Sequence, residues 1–313
     1  MPNVVLVCLD TFRADSIAAR GLNPAIRTPN LDRLAAEGVL FENAFGEGQP
    51  TIQFRRALCT GMRSFPFNRG EDVVGLWPSL AGWHKIPPEQ PTLAEILLEN
   101  GFITGMAASC YHMFKPTQNF ARGISAWEFI RGHETDPWRT GVLTADEVNR
   151  WARKETNGAD GAGAAPLCQY LLNNRDRRGP ADYIPARLFS SAIRFIEDAP
   201  RGCPFFLWVD SFSPHEPWDP PREYADAYDP DWDEDWLPIY CRKTDIREKT
   251  KRRVIAQYHG ELTHVDYHLG RLLDALERKG AANDTLVLVV SDHGAEMFDH
   301  GEIVKERNKC RYR

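Results

Sequence analysis

The chain lacks what several large functional classes require. No apolar run approaches the roughly 18 residues that a membrane-spanning helix needs, so no membrane partner is expected. Lys and Arg number 38 against 44 Asp and Glu, a net charge of -6, which leaves no basic footprint for nucleic acid. Seven cysteines (Cys8, Cys59, Cys110, Cys168, Cys203, Cys241 and Cys310) are scattered without a C-x-x-C pair. That spacing argues against a zinc knuckle or a disulfide frame and for reduced thiols. No charged leader with an apolar stretch and a small-residue cleavage site precedes the first core-like segment, and a cytoplasmic location is the expectation. No internal repeat is evident. What remains is 313 residues with 42% hydrophobic and 26% charged content, an ordinary globular balance.

Two apolar runs end on acids. Val4 to Leu9 is followed by Asp10, and Leu286 to Val290 by Ser291-Asp292-His293-Gly294. The second run reads as a buried strand delivering a carboxylate and an imidazole side by side, the profile of a metal site. If the two strands lie parallel, Asp10, Asp292 and His293 share one sheet edge, where ligands gather in open α/β sheets. Burying such groups is costly unless they are coordinated or paired.

Between these ends, strands alternate with helical patterns. Thr28 to Ala36 places Pro29 near a helix start and Gly38 suits its stop. Pro91 to Leu98 reads as a helix and Phe102 to Ala108 as a strand. Ala186 to Glu197 carries Leu188, Phe189, Ala192, Ile193 and Ile196 on one helical face, ahead of a strand from Pro204 to Val209. Leu262, Val265, Leu269, Leu272, Leu273 and Leu276 repeat at helical spacing. The expectation is a single α/β domain over residues 1–313, a mainly parallel central sheet with helices on both faces. Two segments break the pattern: residues 131–182, rich in Gly, Arg and Asp, and 215–253, with eight acidic residues from Asp219 to Asp235. Both read as long connections over the active face.

Thr51 sits just ahead of a segment able to start a helix, with Arg55 one turn on. A hydroxyl at a helix N-terminus meets free N–H groups and the positive end of the dipole, which suits an anionic nucleophile and an anionic substrate. An N-capping threonine without chemistry is the rival reading. An arginine one turn along can clamp an oxyanion. His264 and His268, four apart, have a chelating spacing but lie on a helix with an apolar face, and read as surface or packing residues. Trp208, Trp218, Trp232 and Trp236 read as packing around the long loops.

Five motifs in order, Asp10-Thr11-Phe12-Arg13-Ala14-Asp15, Thr28-Pro29-Asn30-Leu31-Asp32-Arg33-Leu34-Ala35, Leu58-Cys59-Thr60-Gly61, Ser213-Pro214-His215-Glu216-Pro217-Trp218 and Ser291-Asp292-His293-Gly294, resemble the sulfatase branch of the alkaline phosphatase superfamily. The resemblance implies a metal-dependent hydrolase of sulfate or phosphate esters, with Asp10, Asp292 and His293 as ligands and Thr51 as nucleophile on the metal. It implies Arg55 holding nucleophile and anion, and His215 and Lys305 contacting the anion or leaving group.

The departures from the family carry information too. Where sulfatases have a C-x-P-S-R core whose first residue becomes formylglycine, this chain reads Thr51-Ile52-Gln53-Phe54-Arg55, and threonine cannot become that aldehyde. Where the family often has G-K-W-H, the chain has Ser109-Cys110-Tyr111-His112. A plain threonine nucleophile is similar to that of related phosphodiesterases and phosphotransferases, so phosphodiester or phosphonate ester hydrolysis is the expected reaction, with His215 or His112 protonating the leaving group. One divalent metal ion is expected, since Asp210 and His215 are one residue too far apart for a second-metal D-x-x-x-H set. Oxygen ligands with one imidazole suit manganese, calcium or zinc. The substrate is expected to be a small anionic ester, because the acidic stretch from Asp219 would repel an anionic polymer, and the chain a possible homo-oligomer. The family usually continues into a smaller C-terminal lobe, so a truncated chain is the expectation. A catalytically inactive metal- and anion-binding protein and a phosphoryl-type transferase are the alternatives.

Overall fold

A computed structural model describes residues 1–63, 82–115, 117–152, 164–238, 246–299 and 303–304. Five strands, β1 (Asn3–Leu9), β2 (Ile103–Ala108), β3 (Ala126–Phe129), β4 (Phe205–Ser211) and β5 (Thr285–Ser291), form one sheet in the order β3-β2-β4-β1-β5. Every neighbouring pair is parallel. This is the alkaline phosphatase/sulfatase-like arrangement of a parallel sheet covered by helices. A short antiparallel pair, β6 (Glu296–Met297) and β7 (Ile303–Val304), follows the last sheet strand.

Side chains alternate across a strand, so a central parallel strand must be apolar on both faces. Val5, Val7 and Leu9 of β1 enter one core, with Leu207 and Val209 of β4. The helices closing it are α1 (Pro29–Glu37), α6 (Ile184–Asp198) and α8 (Glu248–Lys279), which contributes Leu262, Val265, Leu269 and Leu272. Leu6, Met106, Phe206 and Trp208 point the other way, onto α2 (Thr51–Thr60) and α3 (Leu93–Glu99) through Ile52, Cys59 and Ala94. Each fully buried Leu or Val contributes about 1.5–3 kcal/mol relative to exposure.

The helix α8 begins well before Leu262, at Glu248, so the end of what reads as a 215–253 connection is helix. That stretch also holds α7 (Arg222–Asp226). The 131–182 segment is likewise structured, carrying α4 (Ala145–Trp151) and α5 (Ala164–Asn174). His264 and His268 are 1% and 4% exposed, which makes them packing rather than surface residues, with their Nε2 atoms 3.1 Å apart. The four tryptophans named above are all buried.

The strand expected to be buried is corrected. β5 is an edge strand, pairing only with β1 among the described strands, and Leu286 and Leu288 are 52% and 40% exposed. An unbroken apolar run does not distinguish an edge position from a central one.

Candidate metal centre and its histidine flank

Register sets the site. Leu9 lies opposite both Ser211 and Ser291, so Asp10 and Asp292 emerge level with each other past the ends of β1 and β5. Asp210, one residue short of the end of β4, sits opposite Cys8 and Ala108. From the helix side, α2 begins at Thr51, which is buried, and one turn later sends in Arg55, which is wholly buried. Pro50 is the N-cap and no side chain caps this helix, so the capping role considered for Thr51 is not what the structure shows.

The Arg55 guanidinium is the hub. Its Nε and Nη2 donate to the two carboxylate oxygens of Asp210 at 2.8 and 3.0 Å, a bidentate pair. Its Nη1 lies 2.7 Å from Asp292 Oδ2, 3.1 Å from Asp10 Oδ2 and 3.2 Å from the Thr51 carbonyl oxygen. Rather than standing open for an oxyanion, it is spread over three acids, and it fastens the start of α2 to them.

Around this hub the other acceptors are aimed. Asp292 Oδ1 accepts from the backbone N–H groups of Thr11 and His293 at 2.9 and 2.8 Å. The Thr11 hydroxyl donates to Asp10 Oδ1 at 2.6 Å. Thr11 itself adopts φ +64°, a left-handed conformation that a β-branched residue rarely takes, and the Tyr258 hydroxyl fixes it by donating to its carbonyl at 2.8 Å. The residue beside Asp10 thus supplies a hydroxyl that orients its carboxylate.

Candidate ligand atoms of Asp10, Asp292 and His293 all lie within 4.8 Å of one another, and all three residues are buried. Among the described residues no other His, Cys, Asp or Glu trio does so. His293 Nδ1 is 2.9 Å from the Gly294 carbonyl oxygen, an acceptor only, so Nδ1 carries the proton and Nε2 presents its lone pair inward. That Nε2 is 3.9 Å from Asp10 Oδ1 and 3.7 Å from Asp292 Oδ2, too far for a hydrogen bond and suited to a shared cation. Electrostatics agree with the donor set. Burial pushes Asp210 up to about 6 against the pull of Arg55, and burial and then Asp10 raise Asp292. Three carboxylates face one guanidinium, an excess that one divalent cation balances. The residues present fit such an ion.

Beside this centre lies a second group. His112 and His215 flank the Phe212 ring, with centroids 5.7 and 4.3 Å away, and His133 lies 4.9 Å from the same ring. His112 Nε2 is 3.3 Å from Glu134 Oε2; burial lowers the pKa of the imidazole and Glu134 pulls it back up. His215 Nδ1 is 2.7 Å from the Glu216 carbonyl oxygen, and His133 Nε2 is 3.2 Å from the Ser213 hydroxyl.

The structure thus brings Asp10, Arg55, Asp292 and His293 together with the start of α2 at Thr51, and His112 and His215 lie on the flank. Lys305 lies outside the described residues. Sequence reading missed Asp210, His133 and Glu134. Asp210 carried the same signal as Asp10, an apolar run ending on an acid, and was weighed only as half of a D-x-x-x-H set. His133 and Glu134 follow β3, a short, largely exposed strand with no apolar run to announce it.

A family model described as "Sulfatase" matches residues 2–312. An arylsulfatase of Clostridium perfringens is 29% identical, over 96% of this chain and 64% of its own length. The iduronate 2-sulfatase of Homo sapiens is 26% identical, over 98% of this chain and 57% of its own. The chain therefore spans less than two thirds of the length of these relatives. Among solved structures, the phosphonate monoester hydrolase of Agrobacterium radiobacter superposes on all of this chain and 66% of that one, with a TM-score of 0.70 and 21% identity, a likeness of fold.

Proposed function

The chain belongs to the sulfatase family, and from that premise we propose that its domain is a metal-dependent ester hydrolase using Thr51 as nucleophile, with phosphate diesters or phosphonate monoesters as substrates. The observation that carries the reading is the Arg55 hub, which ties the first turn of α2, and so Thr51, to the Asp10–Asp292–His293 trio. Asp10, Asp292 and His293 would hold a divalent ion, which would supply positive charge to acidify the Thr51 hydroxyl and polarise the ester.

The chain's own residues do the rest. Arg55 neutralises part of the carboxylate charge and fixes the helix start that carries Thr51. Free N–H groups of the first turn favour the oxyanions of the substrate there. Thr51 Oγ attacks the central atom in line, its proton passes to solvent, and the ester oxygen leaves with a proton from an imidazole, His112 or His215. Water then attacks the central atom of the threonine ester and releases the acid. A hydroxyl nucleophile favours phosphorus, because a threonine phosphoester is opened by attack of water at phosphorus, whereas the residue usual at this position in the family is converted to an aldehyde, which Thr51 cannot form. Sulfate esters are the second reading, favoured by the names of the two relatives above.

The test is hydrolysis of matched 4-nitrophenyl sulfate, phosphate monoester, phosphate diester and phosphonate by metal-stripped protein given back manganese, calcium or zinc. Thr51→Ala is expected to cut metal-dependent phosphodiester or phosphonate cleavage by roughly a thousandfold or more while metal binding persists. Cleavage of the sulfate ester alone would move the substrate to sulfate, and Thr51→Ala at full rate would remove the threonine nucleophile.

A further inference from the structure

We propose that Glu134 is a positioning residue that makes His112 the proton donor to the leaving group. This rests on the ester-hydrolase reading of the site. His112 and Glu134 are 6% and 7% exposed, and Nε2 of the ring lies 3.3 Å from Oε2 of the acid. The contact is at ion-pair distance without a hydrogen bond at Oε2, so the carboxylate favours the charged ring, with Nε2–H turned towards it. Nδ1 is left as the exchanging atom; it is buried and has no hydrogen-bond partner among the described residues.

The loop is built to hold the acid there. Glu134 adopts φ +47°, a left-handed conformation unfavourable for a residue with a side chain, and such strain persists only where the surroundings over-determine it. Thr135 Oγ1 meets the Tyr111 hydroxyl at 2.9 Å, joining this loop to the turn that carries His112. His133 Nε2 meets Ser213 Oγ at 3.2 Å, joining it to the turn that carries His215, and Gly132 N–H donates to Asp136 at 3.0 Å.

His215 is the competing donor. Its Nδ1 is 2.7 Å from the carbonyl oxygen of Glu216 and 3.4 Å from that residue's own carboxylate, a partner supplied by the next residue in the chain. The partner of His112 comes from the end of another strand, β3, in a strained conformation. Besides Glu134, the groups whose charge reaches His112 are Asp10, after β1, and His215, after β4.

In the step, the bond from the central atom to the leaving oxygen breaks, its electron pair goes to that oxygen, and the proton on His112 Nδ1 moves with it. Neutral His112, its Nε2–H still facing Glu134, takes a proton from the water that opens the threonine ester, and Thr51 Oγ, leaving with the electron pair of the broken bond, regains from solvent the proton it gave up at the start. The cycle closes with no other reactant.

The experiment compares metal-loaded wild type, Glu134→Gln, His112→Gln and His215→Gln on esters whose leaving groups run from dinitrophenol through phenol to a simple alcohol. A poor leaving group needs the proton and a good one does not. Glu134→Gln is expected to lower kcat roughly 30-fold or more on the alkyl ester and only a few-fold on the dinitrophenyl ester, with His112→Gln showing the same tilt and KM little moved. An equal loss along the series would make Glu134 merely structural, and a tilt confined to His215→Gln would give the role to His215. In parallel, nitrogen NMR should show His112 as the Nε2–H tautomer, titrating at lower pH once Glu134 is Gln. An unmoved titration overturns the proposal even if turnover changes. A wild type inert on every ester overturns the hydrolase reading, while the titration still decides whether Glu134 holds His112.

Discussion

Two clusters of charge are buried in this fold, and they are balanced differently. Around Arg55, Asp10, Asp210 and Asp292 face a single guanidinium. Between α5 and α8, Arg177 meets a single acid, Asp219, at 2.5 Å, with the Tyr170 hydroxyl donating to the same carboxylate at 3.2 Å and the Tyr183 ring 3.9 Å from the guanidinium carbon. Its other ionisable members are neutral at ordinary pH. Burial pushes Glu261 up to about 8 and drives His264 well down, with His268 adding to the second effect. A matched pair ringed by neutral groups is a structural joint. An excess of carboxylate at the end of a parallel sheet calls for a cation from outside, and that difference identifies the site more firmly than the number of polar groups does.

The sharpest way to break the comparison is to remove each guanidinium. Arg55→Met leaves three buried acids facing one another, and removing one partner of a buried pair costs about 3–5 kcal/mol before the added repulsion is counted. The metal-free variant is expected to be largely unfolded at 37 °C, and manganese or zinc to raise its melting temperature by more than they raise that of wild type. Arg177→Met should lose a similar or smaller amount, about 3 kcal/mol, because only one acid is orphaned. Its metal-induced gain should match that of wild type. Melting curves of both variants with and without metal decide the matter: equal metal gains in Arg55→Met and wild type would mean that the Arg55 cluster is not short of a cation.

How much of this could be read from the chain follows the same physics. Asp10, Asp292 and His293 were legible because an apolar strand that stops on ionisable groups is a strong pattern, and the parallel sheet was legible because strand and helix periods alternate. The flank was not. Glu134 and His133 follow a strand, Ala126–Phe129, whose residues are mostly exposed and carry no period. The edge position of β5 was equally hidden, since Leu286 and Leu288 look in sequence like any buried residues although roughly half of each is exposed. Strand order arises from contacts between segments far apart in the chain, which local periodicity does not encode. Glu261 illustrates the remainder: it sits among the apolar repeats of α8 like a surface acid, and only packing shows it to be 4% exposed.

That burial gives the smallest of the three effects. The Glu261 carboxyl holds its proton up to about pH 8 in the fold, whereas in the unfolded chain it releases it near the ordinary value of 4.5. Between those two values the folded state binds more protons than the unfolded one, so the contribution of this group to stability is complete below about 4.5 and is lost as pH rises towards 8. Asp219 nearby adds to the penalty, and the Ser213 hydrogen bond and Arg177 offset part of it. Glu261→Gln keeps the shape and removes the proton linkage. The variant is therefore expected to melt a few degrees above wild type at pH 8, with the gap closing towards pH 5, when melting temperatures are measured across that range. Because Glu261 belongs to the balanced cluster, the same substitution should leave the metal-induced gain in melting temperature unaltered. A gain that changed with it would mean that the two clusters are coupled through Ser213 and the loop bearing His215.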